Sequence, residues 1–431
     1  MAKELGIYHP RSPQKTPFYQ CIADHFEEFV QVYDDRYERE YGFWRPVIAE
    51  VVEKYLECGD LTHGFARVRC DHCGASFLLA FSCKGRYFCP SCHMKRVLQF
   101  SEWLTKEALQ DVTHQQYVFT IPKIIRPYFK YDRKLLGKLC LCAWNTIKEF
   151  FGACLPKGTI PGAVISIQTW GDTANFHPHL HGLITKGGFD EGGIFHPLPW
   201  IDTQKMAILF KDKVFAMLIQ EGKIAKELAC KISAWPHSGF NIHNEVEIDA
   251  GDKKGRETLA QYIIKAPISQ ERMIYDKEKK AVIYRSKKGT VVFDLLDWLG
   301  AITSHIPNKG AQNVHYYGAY SNKSRGLRLK ALAESQGNSD LSYAPPPPKK
   351  ACSKKWAELI KLVYEISPLQ CPKCQHEMRI VAVINDHLVV EKILKHLDLW
   401  QPQAHSPPSS KETKIVEEVI YDYNFFDYLP A

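Results

Sequence analysis

The residues whose types and spacing best suit chemistry lie between Asn175 and Thr185, in the run NFHPHLHGLIT. His177, His179 and His181 alternate there with Phe176, Pro178 and Leu180. On a strand, a period of two puts the three imidazoles on one face and Leu180 on the other. Imidazole is the commonest side-chain metal ligand, and rings at i and i+2 can grip one ion from the same side. A histidine-rich surface strand held by ordinary hydrogen bonds is the plainer reading. Three histidines on one face, beside a hairpin, favour the metal.

That strand needs a partner, and the sequence supplies one. Ala163 to Thr169 is β-branched and alternating, and Gly171 to Asn175 provides turn residues. Gln168, near the end of this first strand, can bring an amide oxygen toward the same ion.

Cysteines give a second signal. Cys70-x2-Cys73 and Cys89-x2-Cys92 form two knuckles, whose four thiolates suit one closed, tetrahedral, structural zinc. Cys83, His72 and His93 are spare donors able to replace one of the four. Lys84, Arg86, Lys95 and Arg96 flank the knuckles, so a phosphate-contacting ribbon is as reasonable as a purely structural one. Far downstream, Cys371 and Cys374 form a third pair, half of a second zinc site. His376, His396 and Cys352 are the candidates to complete it.

Composition bounds the class. The chain of 431 residues is 45% hydrophobic and 24% charged, the balance of a globular protein with two or three domains. No apolar run is long enough to span a bilayer, so no membrane partner is expected. The opening MAKELGIYHPRSPQK lacks the apolar core of a signal peptide. A cytoplasmic location follows as the expectation, and in it fourteen cysteines point to metal or free thiols over disulfides. The net charge of +8 permits a polyanionic partner without requiring one.

The remaining elements frame these motifs. Helical periodicity covers residues 17 to 57, with Pro46 at a first turn and Gly59 as a stop. A helix over 97–109, a strand over 116–121 and a helix over 133–151 lead into the histidine hairpin. A helix over 203–220 and a strand over 241–249 follow. Residues 257–265 read as a short helix carrying Tyr262, after a polar loop; an isolated tyrosine there is ordinarily core or rim. Residues 272–293 read as a basic hairpin and 294–305 as a helix. The stretch from His315 to Gly326 interleaves aromatic and basic residues, which suits stacking on nucleobases or a folded aromatic corner. His237 and His243 read as structural or surface residues. A Pro-rich run around residues 345–348 is a stiff linker. Beyond it come a helix over 356–364, a strand over 379–384 and a helix over 389–397.

Taken together, CDHC…SCKGRYFCPSC, YVFTIPK, SIQTWGDTANFHPHLHGLIT, LAQYIIKAPIS, VHYYGAYSNKSRG and LQCPKCQHEMRIVAVI resemble, in this order, the HUH single-strand endonucleases. Within them the match is to rolling-circle transposases of the insertion-sequence ninety-one family. The resemblance implies an α+β fold: an HUH nuclease domain with a central antiparallel sheet flanked by helices. It places a helical and zinc-binding domain over residues 1–110, the nuclease over 111–335, the linker over 336–350 and a separate small module over 351–431. His179 and His181 match the metal-binding pair and Tyr262 the nucleophile, with Gln168 and then His177 as candidates for a third ligand. Mg²⁺ or Mn²⁺ is the expected catalytic ion and Zn²⁺ the structural one. The expected partner is single-stranded DNA at element ends, and target DNA. Lys265, Tyr317, Tyr320, Lys323 and Arg325 are the residues expected to contact it.

The implied reaction is cleavage and strand transfer through a 5′-phosphotyrosine. Since the phosphodiester energy stays in the covalent link, no ATP is needed, in keeping with the lack of a Walker-type loop. The histidines precede the tyrosine, whereas conjugative relaxases have the reverse order. One departure stands out: type members carry a second tyrosine four residues after the first, where this chain has Ala266. A replication initiator of the same chemistry, and a non-cleaving zinc-ribbon DNA-binding protein, are the competing readings.

Overall fold

The computed structural model describes residues 12–235, 238–335 and 369–400. The Pro-rich run, the helix expected over 356–364, Cys352 and His237 lie outside them. The described residues fall into two compact units. The first comprises 12–99, 266–306 and 369–400; the second comprises 100–235, 238–265 and 307–335. The continuous span expected over 111–335 is therefore interrupted by residues 266–306.

The second unit is built on an antiparallel sheet. Its strands run in the order Val314–Gly318, Gly162–Trp170, Phe176–Thr185, His114–Thr120 and Asn241–His243, and Glu247–Ile248 also pairs with His114–Thr120. The histidine strand, Phe176–Thr185, is thus internal, hydrogen-bonded on both sides. Alternation gives the sheet two different faces. Tyr117, Phe119, Ala163, Ile165, Ile167, Leu180 and Ile184 point to one of them and are buried. There they meet Leu135, Leu139, Ala143, Ile147 and Phe151 of the helix Lys134–Cys154, and Met206, Phe210, Val214 and Leu218 of the helix Thr203–Gln220. Each Leu, Ile, Val, Phe or Met side chain among them, fully buried, stabilises by roughly 1.5–3 kcal/mol. This apolar layer is what obliges the alternating histidines to take the opposite face.

The helix carrying Tyr262 spans Lys253–Ile263, starting earlier than its apolar residues suggest. Its start is set by Asp252, whose carboxylate accepts from the backbone N–H of Gly255 at 2.8 Å. The polar Lys-Lys-Gly stretch, read as loop from its composition, is therefore the first helical turn.

In the first unit, the helices Pro17–Arg36, Val47–Leu56 and Leu295–Thr303 bury the expected stripes, including Phe18, Ile22, Phe29, Ile48, Val52, Trp298 and Leu299. The basic segment is a three-stranded meander, Met273–Asp276, Ala281–Ser286 and Gly289–Asp294. A separate sheet has the order Met378–Ile384, Phe65–Cys70 and Ser76–Ala80. The strand expected over 379–384 is hence not part of a separate module. It completes a sheet begun near residue 65, and the helix His387–His396 packs Val390 and Leu394 with Phe65. Among the described residues, no helix is long and apolar enough to cross a membrane.

Candidate active site and zinc centres

The site in the second unit begins with sheet register. His179 lies opposite Gln168 on one side and Thr120 on the other; His181 lies opposite Ser166 and Val118. The rings of His177 and His179 have centroids 5.2 Å apart, and those of His179 and His181 4.9 Å apart. Leu180 points into the core behind them.

Local hydrogen bonds orient the imidazoles. Nδ1 of His179 donates to the carbonyl oxygen of His177 at 2.7 Å, which leaves Nε2 with its lone pair. The amide nitrogen of Gln116 lies 3.2 Å from Nδ1 of His181 and donates to it, which puts the proton of the neutral imidazole on Nε2. Turning the amide over would present its oxygen to Nδ1 and leave Nε2 with its lone pair. Among the described residues, Nε2 of His177 is buried without a hydrogen-bond partner, as is Oγ of Ser166. Burial pushes His181 down to about 3, helped by His179 and Lys265. Burial likewise pushes His177 down to about 4, helped by Arg126 and His179. Both imidazoles are thus neutral at pH 7, the state that ligates metal.

Tyr262 comes to the same face. Its ring stands edge-on to His181, centroids 5.3 Å apart and planes at 82°, and the residue is 43% exposed. The helix beneath it is fixed at both ends. Near its start, Arg256 is buried and donates to the carbonyl of Gln110 at 3.2 Å and to Asp111 at 2.8 Å. At its end, the amide nitrogen of Gln168 donates to the carbonyl oxygens of Tyr262 and Ile263, at 3.3 and 3.2 Å. Leu259, Ala260 and Ile263 are buried, leaving the tyrosine outward. Lys265 holds its ammonium 6.0 Å from the centre of the Tyr262 ring.

The aromatic and basic stretch differs from its expected role. Tyr320 is 1% exposed, and its hydroxyl bonds Nε2 of His114 at 2.7 Å. Tyr317 lies flat on Trp144, with centroids 5.3 Å apart and planes at 6°. Arg325 is buried, with its guanidinium 5.0 Å from the centre of the Trp103 ring. These three serve the domain's own packing, because each ring or cation found an aromatic partner within the fold. Lys323 is exposed. The missed contributor is Gln116, whose only sequence signal is its place, two residues from Val118 on the strand beside His181.

The cysteines of the first unit converge in two groups, and not in the expected one. Cys58, Cys83, Cys89 and Cys92 form one; Cys70, Cys73, Cys371 and Cys374 form the other, the sulfurs of each lying within 4.8 Å of one another. The two knuckles do not share an ion, since the strand leaving Cys70 pairs with Met378–Ile384 and draws that knuckle to Cys371 and Cys374. In the first group, Sγ of Cys58 lies 3.9 Å from that of Cys89 and 3.8 Å from that of Cys92; Cys83 and Cys92 are 3.6 Å apart. Tetrahedral zinc with Zn–S near 2.3 Å requires about 3.8 Å between sulfurs. Backbone N–H groups of Cys83 and Gly85 donate to the sulfurs of Cys58 and Cys83, a preference of thiolates. These residues fit a structural zinc. Cys83, a spare donor in sequence, is thus in the set, while Cys58, which has no CxxC partner, carried no spacing signal.

Comparison with known proteins places these features in a family. Residues 26–121 match the profile described as "Transposase zinc-binding domain", and residues 162–327 match one described as "Putative transposase". The transposase for insertion sequence element IS801 of Pseudomonas savastanoi pv. phaseolicola is 27% identical over 407 residues, covering 88% of this chain and 91% of that protein. The protein y4qJ of Sinorhizobium fredii (strain NBRC 101917 / NGR234), also described as a "Putative transposase", is 23% identical over 352 residues, covering 74% of this chain and 84% of its own length. No solved structure matches the chain. The two transposase profiles, and two relatives matched over 91% and 84% of their own lengths, support the assignment of this chain to the insertion-sequence ninety-one family of transposases.

Proposed function

We propose that this transposase cuts single-stranded DNA through Tyr262 and mobilises its element by an HUH-type, rolling-circle strand transfer. The observation that carries the reading is the meeting of an exposed tyrosine with the histidine pair, His179 and His181, on the face of an internal strand opposite the apolar core. Those two imidazoles would hold Mg²⁺ or Mn²⁺. Both candidates for a third ligand stay open: Nε2 of His177 is buried with no partner among the described residues, and the bonds of Gln168 to the tyrosine helix use its amide nitrogen, not the oxygen that would ligate. When bound, the cation would polarise the scissile phosphate and stabilise charge on its oxygens.

The chain's own residues do the rest. Oη of Tyr262 attacks phosphorus, the bond to the 3′-oxygen breaks, and a 5′-phosphotyrosine and a free 3′-OH remain. The phenolic proton leaves to solvent, to which Tyr262 is open, and the departing 3′-oxygen takes up one proton from solvent. Later attack by a 3′-OH on the phosphotyrosine restores the tyrosine and joins the strands, with no net change in phosphodiester number. Fixing both ends of the tyrosine helix holds the attacking oxygen in place, which is where positioning contributes most. Lys265 and Lys323 are the cations we assign to neighbouring phosphates. Since Ala266 occupies the position of the family's second tyrosine, one nucleophile would serve both steps. The relatives' descriptions as transposases favour transposition over replication initiation.

The test is incubation of the full chain with single-stranded DNA spanning the element ends, plus Mn²⁺. A denaturation-resistant adduct that retains label placed 3′ to the cut supports the reading. A free 5′-phosphate with no adduct refutes it.

A further inference from the structure

We propose that Cys70, Cys73, Cys371 and Cys374 hold a second zinc ion, and that this ion closes a zinc ribbon assembled from two halves far apart in the sequence. The sulfur geometry is the first support. Sγ of Cys70 lies 3.5 Å from Sγ of Cys374, 304 residues away, and Sγ of Cys73 lies 3.4 Å from that of Cys371. Disulfide sulfurs sit near 2.05 Å, so these are thiol contacts, close to the roughly 3.8 Å edge of a zinc tetrahedron.

The backbone gives a second support that does not depend on the sulfurs. Both halves make the same knuckle. In the first, Gly74 N–H donates to Cys70 O at 3.0 Å and Cys70 N–H to Ala75 O at 2.8 Å. In the second, Gln375 N–H donates to Cys371 O at 2.9 Å and Cys371 N–H to His376 O at 2.9 Å. The residue after each second cysteine is left-handed, Gly74 with φ +72° and Gln375 with φ +60°. Glycine enters that region freely; glutamine does not, and its presence there marks a turn imposed by the surroundings. Each half also offers one imidazole, and His72 stacks on His376 with centroids 3.7 Å apart and planes at 5°.

The ribbon has a mechanical consequence. Cys70 pairs in register with Met378, so the ion sits at the end of the Phe65–Cys70 and Met378–Ile384 ladder and pins its register. Val68, Cys70, Cys371 and Met378 form a small buried cluster beside the cysteines, so the ion would add to apolar contacts that already join the two segments. The loop the ion closes contains the entire histidine sheet and the Tyr262 helix. This inference concerns metal and folding and stands whether or not Tyr262 is the nucleophile.

The test starts from the unaltered chain. Cys73 is exposed, as are Cys154 and Cys230. In native protein treated with N-ethylmaleimide, Cys154 and Cys230 should be alkylated while Cys73 resists, until a chelator strips the metal. Metal analysis should give two zinc ions per chain, and Cys70→Ser and Cys371→Ser should each give one. Hydrogen exchange in both variants should quicken at least about tenfold across residues 65–70 and 378–384 and stay unchanged across 162–170. Cys73 reacting as fast as Cys154 in unstripped protein overturns the proposal. Loss of an ion in His72→Ala with retention in Cys70→Ser would overturn it too, by moving the ion to the neighbouring His72, Cys374 and His376 group.

Discussion

The side-chain amide of Gln168 donates to the carbonyl oxygen of Tyr262 at 3.3 Å, across 94 residues of sequence. With the matching bond to Ile263, it ties the last turn of the tyrosine helix to the strand beside His179. Both acceptors are carbonyls, so the amide must present its nitrogen to them. Gln168→Ala should remove the side-chain donor from the carbonyl of Ile263, costing about 1–3 kcal/mol, while that of Tyr262 keeps the backbone N–H of Lys265, and should slow cleavage without rescue by excess Mn²⁺. Gln168→Glu separates the roles further. A carboxylate would improve a metal ligand but repel the two carbonyls, so the clamp predicts a less stable, less active protein in thermal melts and cleavage assays. Activity retained or raised in Gln168→Glu would return Gln168 to the metal.

Cys58 is expected to matter as much as the CxxC cysteines, although it stands alone in sequence. Structural zinc contributes on the order of 10 kcal/mol to small zinc-dependent folds. Cys58→Ser and Cys89→Ser should therefore lose the same ion and give the same loss of cooperative unfolding in the first unit. Retention of full zinc content in Cys58→Ser would count against the grouping of Cys58 with Cys83, Cys89 and Cys92.

Acid sensitivity should trace in part to His114. It is fully buried against Tyr320, and burial, with Arg256 nearby, pushes it down to about 4 from an ordinary value near 6.5. The unfolded chain then binds a proton that the folded chain refuses between these values. The contribution is intact above pH 6.5 and is lost as pH falls toward 4, by about 3 kcal/mol in all. His114→Gln removes the titration and keeps a partner for the Tyr320 hydroxyl. The stability difference between pH 7 and pH 4.5, from urea midpoints, should be smaller in the variant. Equal differences in the two proteins would show that His114 stays neutral, or charges freely, in both states.

The sequence was most legible where periodicity and chemistry agreed. Leu180 among three histidines announced both the strand and its two faces, and the apolar spacing of Thr203–Gln220 gave that helix to its ends. Local composition misled at Lys253–Gly255, because a single cap, Asp252, converts a loop-like run into a helical turn. Tyr317, Tyr320 and Arg325 look like nucleic-acid contacts in one dimension, and only packing against Trp144, Gly162 and Trp103 turns them inward. The pairing of cysteine knuckles was not legible at all. Spacing identifies a half-site, but which halves meet depends on a strand pairing between segments about 300 residues apart, of the kind that only tertiary structure fixes.

On the proposed mechanism, the phenol of Tyr262 forms the covalent bond to DNA. The most direct measurement compares wild-type and Tyr262→Phe protein, each incubated with element-end single-stranded DNA and Mn²⁺, then digested and mapped by mass spectrometry. Tyr262→Phe removes one exposed hydroxyl that makes no described hydrogen bond, so folding, zinc content and DNA binding should be unchanged. The expected result is a nucleotide on the peptide containing Tyr262 in wild type, and no adduct in the variant. An adduct that persists in Tyr262→Phe, or maps to another residue in wild type, would contradict it.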